Sequence, residues 1–322
     1  MVATMVPDAE LLPEVLPTDR LGPTGMAVPE VRTRLRRIGN VANAGTVAGA
    51  WVQTIAVLYG TDLLVSRTGW WGLWLGAFVL MARVHALFGI LSHEAAHRLL
   101  FTRQRINDWV GKWLVGTVAL VGQEAYRRGH MGHHRDPLGP NEPDLVLYNG
   151  YPVTSARLRR KLRRDITGES GLKLLSGIGR SLRNPRSRTS TLHIIAMQAL
   201  LAAVLGITIA WWVWPVMWLG SWMTIYRLLS RLRAIAEHGG LVNSTDDRLT
   251  THHVRQSAWA RFWIVPYNTG WHVAHHVDAG IPFRNLPEFH RELVSSGWFV
   301  PELEYPTYLA LWRRLGSASA QR

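Results

Sequence analysis

Eight of the chain's 14 histidines fall into three tight groups: His93 and His97 in HEAAH, His130, His133 and His134 in HMGHH, and His272, His275 and His276 in HVAHH. Imidazole is the commonest metal ligand. On a helix, residues three or four apart share a face with Cβ atoms about 5–6 Å apart, so each group aims its rings at a common point. Eight such nitrogens are more than one tetrahedral ion uses, and the count predicts two metals. His238, in AEHGG at the end of an apolar run, sits at the same membrane depth and is a candidate ninth ligand. Ligating imidazoles usually donate their other N–H to a carboxylate or carbonyl, which makes Glu94, Asp144 and Glu237 candidates for that supporting role. Asn268, four residues before His272, is a candidate ligand directly or through water. His85 lies eight residues before His93 and reads as a packed residue. His193, His252, His253 and His290 carry no spacing argument and read as structural.

The chain has no cysteine, which excludes a disulfide scaffold, a thiolate zinc site and an iron–sulfur cluster held by this chain. An all-nitrogen site of this kind suits iron, zinc, copper or nickel.

The elements that must position these rings are apolar. A bilayer core needs about 20 apolar residues per helical span, and four runs approach that: Val41 to Val65, Gly69 to Leu91, Leu192 to Val213 and Trp214 to Ile235. Trp51, Trp70, Trp71, Trp211, Trp212 and Trp214 mark their ends as interfacial aromatics do. Asp62, Arg83 and His85 interrupt the runs and are expected to snorkel toward the span ends. The expected fold is therefore an all-α integral membrane protein with four transmembrane helices in two hairpins. A helical, histidine-rich cap would be formed by residues 92–191 and 236–322. Residues 39–322 would form a single membrane domain. Residues 1–38, with five prolines after position 5 and no apolar stretch behind a basic start, read as a disordered tail rather than a signal peptide. Trp109 to Tyr126 is apolar but marginal for a crossing, and reads as an interfacial or re-entrant helix under the site.

Net charge is +14, and 14 Lys or Arg lie between Tyr126 and Ser190, including RLRRKLRR from Arg157 to Arg164. Arg32, Arg34, Arg36 and Arg37 precede the first run, while the connector at 66–68 carries only Arg67. The positive-inside bias then places both termini, the central loop and the three histidine groups on the cytoplasmic side. Charges flanking spans are accounted for by topology and anionic headgroups, so nucleic-acid binding is not expected. A site there, beneath four spans, is placed to receive a lipid chain, and two redox metals suit O2 activation against an inert C–H bond.

HEAAHRLLF, HMGHH followed by NEPDLVLY, the EH of AEHGG and NTGWHVAHHVDAGIPFRNLPEFH together resemble the membrane fatty acid desaturase superfamily. The resemblance covers the chain from about Val41 to His290 and rests on three boxes in order: HxxxH, HxxHH and HxxHH. It implies a di-iron, O2-dependent enzyme that desaturates an alkyl chain of a lipid or acyl thioester. By position the ligands would be His93, His97, His130, His133, His134, His238, His272, His275 and His276. Some family members add an asparagine four residues before the histidine matching His238, where this chain has Ala234, so water or Asn268 would fill that place. Electrons would come from a separate ferredoxin-like or cytochrome-type donor with its reductase, and the basic loop from Arg157 to Arg188 would dock an acidic donor.

Three rival readings use the same residues. A carotenoid, alkane or lipid hydroxylase or ketolase of the same superfamily would return OH to the carbon instead of removing a second hydrogen. HEAAH also fits the HExxH pattern of a membrane zinc protease, which leaves six clustered histidines unexplained. A metal transporter or sensor would need polar residues along a path across all spans, whereas these clusters lie on one side.

Overall fold

The structure, a computed structural model, describes residues 5–14 and 17–318 and is mostly helical. In chain order the helices are α1 (Pro29–Leu35), α2 (Asn40–Thr68), α3 (Leu73–Ala96), α4 (Gln104–Val110), α5 (Gln123–Arg135), α6 (Leu145–Tyr148), α7 (Ser155–Ile166) and α8 (Glu169–Ser181). They continue as α9 (Pro185–Thr208), α10 (Ser221–Met223), α11 (Ile225–His238), α12 (Asp247–Thr250), α13 (Ala258–Trp263), α14 (His272–Val277), α15 (Leu286–Ser295) and α16 (Tyr308–Leu315). Two short strands, β1 (His253–Val254) and β2 (Glu304–Tyr305), pair in parallel with His253 opposite Glu304. The chain divides into two compact units, one of residues 39–127 and 161–230, the other of residues 1–38, 128–160 and 231–322.

The first unit holds the apolar helices. Among the described residues, three segments are long and apolar enough to cross a membrane: Pro29–Thr68, of which α2 is the long helix, then α3 and α9. Their sequences also set their ends. Gly69 takes the left-handed conformation (φ 69°) and its N–H returns to the Val65 carbonyl, closing α2. Asn184 accepts the Arg186 N–H ahead of Pro185, opening α9. Large apolar side chains stand bare along these helices, among them Val52, Leu63, Leu75 and Ile207, a pattern suited to lipid and costly in water. Two of the polar interruptions have protein partners: Arg83 Nη1 donates to Gln53 Oε1 across α2 and α3, and His85 Nε2 meets the Trp218 carbonyl at 2.9 Å.

Two expected elements are built differently. The run from Trp214 to Ile235 is not one long helix; a π turn over Val213–Gly220 is followed by α10, a break at Thr224 (φ −114°, ψ −93°) and α11. Pro215 lacks an N–H, and the Ser221 and Thr224 hydroxyls bond back to the carbonyls of Met217 (2.5 Å) and Gly220 (2.7 Å), which competes with a regular ladder. Trp109 to Tyr126 is likewise not one helix. It runs through the end of α4, a π turn over Gly111–Gly116, a left-handed Leu120 (φ 59°) and the start of α5. Its Val115 and Val118 are fully buried, and the freed carbonyls of Thr117 and Val118 accept Gln198 Nε2 at 2.9 and 3.1 Å. Burial in protein accounts for its apolar composition.

The second unit gathers around a core of Leu21, Val31, Leu35, Val273, Val277, Phe283, Phe289 and Trp298 with their neighbours. Its first three members correct the disordered-tail expectation for the described part of residues 1–38, while residues 1–4 and 15–16 lie outside the described residues. Spaced apolar residues between the prolines are enough to anchor the segment, α1 starts on Pro29, and Arg32 and Arg36 pair with Asp278.

Candidate metal centre

HEAAH occupies the last turn and a half of α3, in the first unit. Three buried amides tie that end down. Asn43 Nδ2 donates to the carbonyls of Leu99 (3.1 Å) and Leu100 (3.0 Å), Asn107 Nδ2 to Ala95 (3.0 Å) and Gln123 Nε2 to Ser92 (2.9 Å). The His93 and His97 rings lie 4.9 Å apart, as i,i+4 spacing requires, and the neighbouring Glu94 is buried.

The other seven histidines belong to the second unit, where α5 carries HMGHH, α11 ends on His238 and α14 carries HVAHH. Ligand atoms of His133, His238, His272 and His276 all lie within 4.8 Å of one another. Within this set the Nε2 atoms face each other in pairs, His133 with His276 at 3.2 Å and His238 with His272 at 3.1 Å. Beside it, His134 Nε2 stands 3.2 Å from His130 Nε2 and 3.0 Å from His275 Nε2.

The outer nitrogens show what the inner ones can do. His238 Nδ1 is 2.8 Å from the Thr250 carbonyl, which can only accept, so Nδ1 carries the proton and Nε2 turns a bare lone pair inward. His133 Nδ1 meets Glu142 Oε1 at 2.5 Å, with the Tyr148 hydroxyl at 3.2 Å, to the same effect. His272 Nδ1 lies 3.6 Å from Glu237 Oε1, whose carboxylate is held by Arg233 Nε at 2.6 Å. Burial pushes His238 well below the usual imidazole range, helped by His133, and does the same to His276 among His134, His272, His238 and His133. Burial raises the Glu237 carboxyl against the pull of Arg233. Rings whose outer nitrogens are engaged, as in His133 and His238, turn their inner lone pairs toward a common point, which is what a cation requires. The residues fit a metal.

The model of the family described as fatty acid desaturase matches residues 68–308, three quarters of the chain. The chain belongs to the fatty acid desaturase family. No curated protein matches it. The desaturase-family match takes in all nine expected histidines, and with the three apolar helices it fits a membrane-bound oxidoreductase that binds metal.

Of the expected supporting residues, Glu237 stands beside His272 and Glu94 is buried. Asp144 instead sits at the N-cap of α6, where burial raises its carboxyl. The carboxylate at His133 is Glu142, two residues earlier in NEPD, fully buried and also accepting the Leu138 N–H. Glu142 carries no spacing signal that singles it out from Asp144, because Pro143 between them breaks any periodicity. Asn268 ends a 3-10 turn at φ 63°, and its side chain makes no hydrogen bond to these histidines. Of the histidines read as structural, His252 Nε2 bonds the Gly239 carbonyl at 2.8 Å and His253 stacks on His290 at 4.2 Å.

Proposed function

We propose that this chain is an O2-dependent, di-iron membrane desaturase that introduces a double bond into the alkyl chain of a lipid or acyl thioester. The observation that supports it most directly is the set of four imidazoles, His133, His238, His272 and His276, with ligand atoms within 4.8 Å of one another in a fatty acid desaturase family chain. These four are the proposed ligands of one iron. His130, His134 and His275 are proposed ligands of the other, and His93 and His97 of HEAAH are proposed as ligands on the family's pattern alone. When bound, the two irons would supply the oxidation of an unactivated C–H bond by O2. Overall, two adjacent CH2 groups lose two hydrogens while O2, two electrons and two protons become two waters.

The chain's own residues have narrower tasks. Glu142 and the Thr250 carbonyl hold protons on His133 Nδ1 and His238 Nδ1, keeping the inner nitrogens free. Glu237, held by Arg233 and 3.6 Å from His272 Nδ1, places a carboxylate behind that ring without hydrogen-bonding it. The apolar helices would align the alkyl chain, since misplacement by an ångström costs about 100-fold in rate. We place four crossings in the chain, the fourth formed by the interrupted run at 214–235, with the termini and metal site cytoplasmic. The two electrons would arrive from a separate ferredoxin-like or cytochrome-type donor with its reductase.

Lipid profiling of cells expressing the chain, with metal analysis of the purified protein, tests this. Two irons per chain and a new unsaturated product are expected, both lost in His133→Ala. A hydroxylated product would replace desaturation by hydroxylation, and a protein containing only zinc would end the proposal.

A further inference from the structure

Helix α14 is six residues long yet carries three of the centre's histidines. A helix that short does not hold its own shape, so its surroundings set it. On one side Val273, Ala274 and Val277 are buried against Leu21, Val31 and Leu35 of the N-terminal segment. At its end the side chain of Asp278 is only 1% exposed and is gripped from the same segment. Arg32 Nε lies 3.0 Å from Oδ2, Arg36 Nε lies 3.1 Å from Oδ2, and Arg36 Nη2 reaches Oδ1. The Asp278 carboxylate also accepts the Gly280 N–H at 3.0 Å. The Arg36 guanidinium lies directly over Gly280, where an added Cβ would come within 2.7 Å of Arg36 Cζ. Asn285 Nδ2 closes the arrangement by donating to the Leu35 carbonyl at 2.7 Å.

A buried carboxylate at a helix C-terminus faces the negative end of the helix dipole and requires cationic partners. Only Val277 separates it from His276, and its N–H still bonds the Ala274 carbonyl at 3.2 Å, so its position is passed directly to the ligand-bearing turn. We propose that residues 29–38 form a clasp on the metal centre, with Arg32 and Arg36 as positioning residues that fix Asp278 and thereby the aim of His275 and His276. The clasp rests on the metal-centre reading above. Both arginines lie outside the residues matched by the family model, while Asp278 lies within them.

The test uses the full chain in detergent and two readouts. Hydrogen exchange of the metal-free protein reports the clasp without any metal, and binding of Co2+, followed by its visible absorption, reports the aim of the imidazoles. In the Arg32→Gln/Arg36→Gln double variant, amides of residues 273–281 are expected to exchange faster while those of α3 and α9 keep their protection. Co2+ affinity is expected to fall roughly tenfold or more. Arg36→Lys keeps the charge but loses the two-pronged grip and should fall between. Gly280→Ala, which displaces the guanidinium without touching either charge, should resemble it, and these two single variants decide the matter if the double variant does not fold. Wild-type exchange and affinity in all variants would overturn the clasp. A wild-type protein that takes up no metal would instead overturn the metal-centre reading, with the exchange data still judging the clasp.

Discussion

Glu142 decides which nitrogen of His133 is available. With its side chain fully buried and 2.5 Å from His133 Nδ1, it holds the proton outside and adds negative charge behind the ring, which strengthens the inner nitrogen as a donor. Replacing it with leucine leaves the tautomer to chance, and Glu142→Leu is expected to lower metal affinity about 10–100-fold in competition with a chelator. Glu142→Gln, whose amide oxygen still accepts, should lose less. Equal affinity in all three proteins would show that the carboxylate does not support the ligand. At this scale the sequence was most legible where geometry is periodic: i,i+3 and i,i+4 spacing alone selected His130, His133, His134, His272, His275 and His276. It was least legible for partners that arrive from loops, such as Glu142 and the Thr250 carbonyl, because nothing in the chain's periodicity reports a backbone carbonyl or separates Glu142 from Asp144.

Elements show the same division. The runs read as spans at 41–65, 69–91 and 192–213 correspond to α2, α3 and α9, since long apolar stretches without prolines have few alternatives to helix. The segments at 109–126 and 214–235 are equally apolar but are interrupted, because Pro215, hydroxyls bonding back to carbonyls and the turn at Leu120 act locally, below what an average of hydropathy detects. A break inside an apolar region leaves carbonyls that must find donors. Gln198 supplies them, with Nε2 on the carbonyls of Thr117 and Val118 and Oε1 taking the Trp214 indole N–H at 3.3 Å. Gln198→Leu keeps the volume and removes all three bonds. It is expected to destabilise the protein by about 1–3 kcal/mol per stranded group, read as a lowered unfolding midpoint in detergent. A midpoint within error of wild type would mean that water or a rearranged turn replaces the amide.

Across the whole molecule the dominant quantity is charge. A net +14 places a positive field around a protein that, in the proposed reaction, must receive electrons from another one. The sequence located this charge correctly at 157–164, and in α7 the side chains of Arg157, Arg159, Arg160, Arg163 and Arg164 are exposed. It misjudged the other basic segment: Arg32 and Arg36, which looked like part of a disordered tail, are spent on Asp278 inside the fold. A composition average cannot tell a solvated cation from one that a distant carboxylate has claimed. Of the α7 arginines Arg164 pairs with Glu169, and the exposed Arg157, Arg159, Arg160 and Arg163 are placed to steer a partner. Opposite charges raise encounter rates by about 10–1000-fold, an effect screened beyond about 10 Å at 0.1 M salt. If an acidic donor docks there, reversing Arg159, Arg160 and Arg163 to glutamate should slow electron delivery at low salt and flatten its dependence on ionic strength. Metal content should stay at the wild-type level, because none of the three touches a histidine of the centre. Stopped-flow reduction across a salt series measures both, and an unchanged rate at low salt would move the docking face away from α7.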